Sequence, residues 1–153
     1  MRKWAVLCLF ALVSGVGARA ESPSETRCDG GPRQLARCLD SASSVEDKRL
    51  KTLYGLILRM LEAGSANPDD PIYSNEREDL GTAEKAWTEF RDAQCAAEVS
   101  LSGPLSTSAE VWISGKCALT MTRERISYLE RVARTIAPKS RLCAKTPGVC
   151  NTR

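Results

Sequence analysis

Apolar residues recur every three to four positions along most of this chain, and no segment sustains the apolar-polar alternation of a half-buried strand. That pattern restricts the fold to helices packed on helices. The clearest stripe is Leu50, Leu53, Tyr54, Ile57, Leu58 and Leu61, widened by Leu56 and Met60, so its helix is expected to touch two neighbours. Ser43 followed by Glu46 has capping-box spacing, in which each side chain satisfies backbone donors, and predicts where that helix opens. Gly64, with Pro68 and Pro71 beyond it, predicts where it stops. Asn75 and Glu78 predict the start of a second long helix reaching about Val99. Its buried side is expected to carry Leu80, Ala83, Trp87, Phe90, Gln94 and Ala97, with Trp87, Arg91 and Cys95 on an adjoining stripe. A third, from Lys116 to Ala137, sets Leu119, Thr122, Ile126, Leu129, Ala133 and Ile136 on one face, and Pro138 ends it. A short helical stretch over Arg33 to Leu39 precedes these, and residues 64–75 and 101–115 read as loops. The expected fold is all-α: a small disulfide-stabilised helical hairpin or bundle of three to four helices.

Arg2 and Lys3 precede an apolar run from Trp4 to Val13, and small residues then lead to Ala18-Arg19-Ala20. This is the pattern of a cleavable secretory signal over residues 1–20. The apolar run is well short of the ~20 residues that span a bilayer. The sequence therefore predicts an exported chain, periplasmic or secreted, with a flexible leader over 21–27, a helical domain over 28–137 and a tail over 138–153. Cys8 goes with the signal, leaving Cys28, Cys38, Cys95, Cys117, Cys143 and Cys150. An even number of cysteines in an oxidising compartment, without clustered C-x-x-C spacing, predicts structural disulfides rather than a metal site. Fifteen pairings are open at this point. The signal also holds Arg2, Lys3 and Arg19, so its removal turns 22 basic and 19 acidic residues into 19 of each. A neutral domain lacks the basic excess of a nucleic-acid binder, and neither nucleic acid nor membrane insertion of the mature chain is expected.

The chain has no histidine, which removes the commonest general base and the commonest metal ligand together. A thiol nucleophile would need a cysteine assigned to a bridge, and there is no phosphate-cradling glycine loop. Glu84, Glu89, Asp92 and Glu98 would support glycosidase chemistry only if two converged, whereas helix-surface acids are normally solvated. Binding is the favoured class: no enzyme, no cofactor and no metal. Charge is uneven along the chain. Asp69 to Asp92 holds eight acids against three bases, and Lys116 to Lys145 holds eight bases against Glu124 and Glu130. Such an asymmetry either pairs neighbouring helices or steers a cationic partner.

Two spaced strings stand out: Trp87-x-x-Phe90-Arg91-Asp92-x-x-Cys95, and Cys117-x4-Thr122-x-x-Arg125-x3-Leu129. With Cys28 and Cys38 ahead of them, they resemble the LprI-type lysozyme inhibitor family of bacterial envelope proteins over roughly residues 28–132. The resemblance implies an all-helical domain and bridges Cys28 to Cys38 and Cys95 to Cys117, leaving Cys143 and Cys150 for each other. It also implies a protein partner, a lysozyme, whose substrate cleft would be occluded without chemistry. The rival reading is an envelope assembly module docking on another exported protein, which an apolar patch of Ile72, Tyr73, Trp112 and Ile113 would favour.

The signature has structural work to do whatever the function. Trp87 and Phe90 offer large areas for burial, Arg91 and Arg125 can fork to carboxylates such as Asp92 or Glu124, and Thr122 can bond back to its own turn. Partner contacts are therefore expected in the loops, from Asp69, Asp70 and Tyr73 in the first and Trp112 in the second. For Trp112, burial is the stronger expectation.

Overall fold

The structure is a computed structural model that describes residues 31–67, 69 and 75–151. The predicted signal and leader, Cys28, Asp70, Ile72 and Tyr73 lie outside them. Four helices follow in order, α1 (Pro32–Glu62), α2 (Glu76–Leu101), α3 (Thr107–Ile136) and α4 (Arg141–Lys145), and a 3-10 turn spans Pro147–Cys150. The fold is all-α, and the only β feature among the described residues is an isolated bridge between Ser65 and Ser140.

Leu39 lies against Gly115 and clusters with Leu119, Glu46 meets Arg123, and Met60 meets Ser140. Residue numbers rise together along both helices, so α1 and α3 lie parallel. α2 runs back between their directions, because Glu84 meets Arg125 and Cys95 is bonded to Cys117.

The two helical pieces expected before Leu61 are one helix. Pro32 takes the first helical position, where its missing N–H costs nothing, and the Gln34 side chain accepts from the Gly31 N–H at 3.4 Å. Ser43 and Glu46 are consequently interior residues, and their capping-box spacing marks no boundary. The reason is the stripe itself: Leu35, Leu39 and Ala42 continue the period of Leu50, Leu53 and Ile57 and pack on Leu119. Gly64, at φ +73°, ends the helix in the left-handed region that glycine enters without strain.

α3 likewise starts before its predicted position. The Ser106 hydroxyl accepts from the Ala109 N–H at 3.4 Å and caps the helix at Thr107, so Val111, Trp112 and Ile113 are helical rather than in a loop.

The main core joins Leu50, Leu53, Leu56, Ile57, Met60 and Leu61 of α1 to Ile126, Leu129 and Ala133 of α3. A smaller cluster of Leu39, Ala42 and Leu119 lies towards the other end. Between the two clusters, in the register of the apolar stripe, sits Glu46, 4% exposed. The tail closes the end of the main core. Cys143, bonded to Cys150, belongs to that core, and the fully buried Ser140 donates its hydroxyl to the Met60 carbonyl at 2.9 Å. The same oxygen accepts from the Leu142 N–H at 3.3 Å, while the Ala66 N–H donates to the Lys139 carbonyl and the Arg141 N–H to that of Gly64.

Candidate functional site

The signature strings fold into one cluster where α2 crosses α3. On α2, Leu80, Glu84, Trp87, Arg91 and Cys95 are spaced three or four apart, so they share the face turned to the bundle. Trp87 sits between two guanidinium groups, with Arg91 5.2 Å and Arg125 5.6 Å from its ring centre. Arg125 also stacks on Tyr128 at 5.0 Å. Its Nε donates to Glu84 Oε2 at 2.9 Å. Its Nη2 lies equally close to that oxygen but is not aligned to donate. Both side chains are largely buried, so the pair holds α3 to α2 in a region of reduced dielectric. Glu84, not Glu124, is therefore the partner of Arg125.

Arg91 joins all three long helices. It contacts Asp92 on its own helix at 2.9 Å, donates to the Thr122 hydroxyl oxygen of α3 at 3.4 Å, and lies 3.9 Å from Asp47 of α1. The buried Thr122 thus accepts from another helix, where a bond back to its own turn was the expectation. Leu129 is fully buried in the main core. The Cys95–Cys117 bridge closes the foot of the cluster with Met121 Sδ 3.8 Å from Cys95 Sγ. Cys38 is disulfide-bonded, whereas the expectation for Cys28 falls outside the described residues.

Phe90 departs from this arrangement. It is 57% exposed on the solvent side of α2, so the expectation that it supplies buried area is corrected. The stripe proposed from periodicity is split: Leu80 and Trp87 face in with Arg91 and Cys95, whereas Ala83, Phe90, Gln94 and Ala97 face out. Trp112, expected to be buried, is 37% exposed on the first turns of α3, with Lys116 Nζ 5.0 Å over its ring. Asp69 is exposed beyond the end of α1, and its N–H donates to Asn67 Oδ1 at 3.0 Å. Asp70 and Tyr73 lie outside the described residues.

The loop after α1 and the Trp112 turn are at opposite ends of the 26-residue α2. At 1.5 Å per residue they stand about 40 Å apart. The structure does not bring these two candidate regions together.

The carboxylates named for glycosidase chemistry do not converge either. Glu84 faces α3, while Glu89, Asp92 and Glu98 are exposed at different angles around α2. A shallow groove of about 460 Å³ along α3 contains the single acid Glu124 among Thr120, Arg123, Ser127 and Arg131. No group of three metal-ligating side chains occurs among the described residues. Nor is any described helix long and apolar enough to cross a membrane.

Fold and cluster together define a disulfide-tied, all-helical domain whose distinctive residues lock helices to one another. The chain belongs to the lysozyme inhibitor LprI family, whose model matches residues 27–129. That span covers α1, α2 and most of α3, and it ends before the tail. No curated protein and no solved structure matches the chain.

Proposed function

We propose that this chain is an exported lysozyme inhibitor that binds a lysozyme and covers its substrate cleft. The family match over residues 27–129 is the observation that carries this reading. Export is supported by Arg2 and Lys3, the apolar run after them and Ala18-Arg19-Ala20, the pattern of a cleavable signal. Inhibition by occlusion requires a complementary surface of about 800 Å² per partner and no bond-making residue, which suits a chain without histidine. The signature cluster is proposed to act on the fold: it positions α2 against α3, and the partner meets other residues. Asp69, Asp70 and Tyr73 of the segment after α1 and Trp112 of the first turns of α3 are the proposed contributors.

The test is an activity assay of several lysozyme types on a cell-wall suspension, with calorimetry alongside. It uses purified residues 21–153 with all bridges oxidised. Inhibition of at least one type, with a measurable heat of binding, is the expected result. Full activity of every type and no heat would sink the proposal.

A further inference from the structure

The solvent face of α2 is where sequence pattern and packing part company. Ala83, Ala86, Phe90, Ala93, Ala97 and Leu101 follow one another at three- or four-residue steps and share one side of the helix. All six are exposed, Leu101 at 88%. Between Ala83 and Leu101 the stripe is free of charge, and at 1.5 Å per residue it runs about 27 Å. Scattered exposed apolar residues are ordinary, but a continuous file with an aromatic at its middle marks an interaction surface. α1 and α3 leave it open, because they take the adjoining side of α2 through Leu80, Trp87 and Cys95.

The flanks of the stripe carry acids, Glu89 and Asp92 on one side and Glu98 on the other. Asp92 is taken by Arg91 of its own helix at 2.9 Å, and Glu89 and Glu98 remain. The carboxylates that meet α1 and α3 arginines are Glu46, Glu84 and Glu130, whereas Glu78, Glu89 and Glu98 form no ion pair among the described residues. An apolar centre with a polar rim has the anatomy of a protein interface, and here the rim is anionic. Its complement is an apolar surface ringed by bases.

From this we infer that the outer face of α2 is the docking surface for a cationic protein, with Phe90 as its anchor. The inference rests on the lysozyme-binding reading and names the surface that reading leaves open. The helix also connects the end bearing Asp69 to the end bearing Trp112, so a partner lying along it reaches both. A second copy of this chain fits poorly. Two-fold pairing about Phe90 would set Glu89 and Asp92 against their own counterparts, and like charges directly opposed disfavour association.

The experiment compares binding of a cationic animal-type lysozyme by the oxidised 21–153 protein and its variants, using surface plasmon resonance at low and high salt. Phe90→Asp and the milder Phe90→Ala are expected to raise Kd about tenfold or more, with circular dichroism and melting unchanged because the ring is exposed. Glu89→Lys with Glu98→Lys should slow association, most at low salt. Val45→Asp, the same kind of change at an exposed position on α1, should leave Kd where it was. Unchanged Kd in both Phe90 variants overturns the surface and leaves the lysozyme reading standing. Absence of binding by the unaltered protein removes that reading and this inference with it. Self-association in sedimentation that Phe90→Asp abolishes would give the face to a second copy and overturn the assignment.

Discussion

Glu46 and Ser140 show how single residues set the seams of this fold. Glu46 occupies a position in the apolar stripe of α1, where its Oε1 accepts from Arg123 at 3.0 Å. Its Oε2 is buried without a hydrogen bond, 3.7 Å from Arg49. A buried ion pair with one unsatisfied oxygen adds little net stability, because desolvation offsets the attraction. Glu46→Leu is accordingly expected to be neutral or up to ~2 kcal/mol stabilising in chemical denaturation. Arg123→Met, which leaves the carboxylate buried, should cost about 1–3 kcal/mol. The reverse order would contradict this account of the seam. Ser140 is fully buried, caps α4 and donates to the Met60 carbonyl. Ser140→Ala removes a cap and strands a buried acceptor at once, so a loss of ~1–3 kcal/mol is expected. An unchanged denaturation midpoint would show that the tail does not help to hold the end of α1.

Among the three long helices, α2 is the one with least burial of its own. Its sole buried residue is Cys95, and half-buried Leu80, Trp87 and Val99 make up much of the rest of its inner face. The Trp87 cluster and the Cys95–Cys117 bridge therefore anchor it. Replacing both cysteines by serine is expected to cost about 3 kcal/mol, the usual value for a loop of this length. Amide exchange should then quicken along α2 before α1 or α3, and uniform exchange along all three would argue against a locally anchored helix.

The helices were legible in sequence because their apolar period is strong, but two boundaries were not. Ser43 and Glu46 have the spacing of a cap, but Leu35, Leu39 and Ala42 carry the apolar stripe through that position, and Glu46 is held within it by Arg123. Ser106 with Glu110 behind it was a signal for the early start of α3, obscured by the glycine, proline and serines before it. On α2, apolar residues lie on both the Phe90 side and the Trp87 side, so periodicity alone could not choose the inner one. Arg91 and Arg125 decide it, since Arg91 reaches Thr122 and Asp47, and Arg125 reaches Trp87 and Glu84, only when that side faces the bundle. The pairing of cysteines came from family likeness, not from spacing.

For the whole molecule, the charge asymmetry gains meaning from where the pairs fall. Two described ion pairs join α1 to α3, Glu46 to Arg123 and Arg49 to Glu130, and just one, Glu84 to Arg125, joins α2 to α3. Mutual attraction of α2 and α3 thus accounts for little of the acidic excess, and steering of a cationic partner gains weight. Asp69→Asn with Asp70→Asn should slow association with a cationic lysozyme a few-fold at low salt, with the difference fading near 0.5 M, where the screening length is only ~4 Å. Equal association rates at both salt levels would remove steering from the account. The disulfide-tied bundle supplies rigidity, and the proposed action is binding that covers a lysozyme's substrate cleft.

The most direct test of that claim is a calorimetric titration of an animal-type lysozyme with the oxidised 21–153 protein, alone and with the enzyme's cleft filled by an N-acetylglucosamine oligosaccharide. The account predicts a one-to-one end point that coincides with loss of lytic activity, and binding that weakens when the cleft is filled. Binding equally tight with the cleft occupied, or no binding at all, would contradict it.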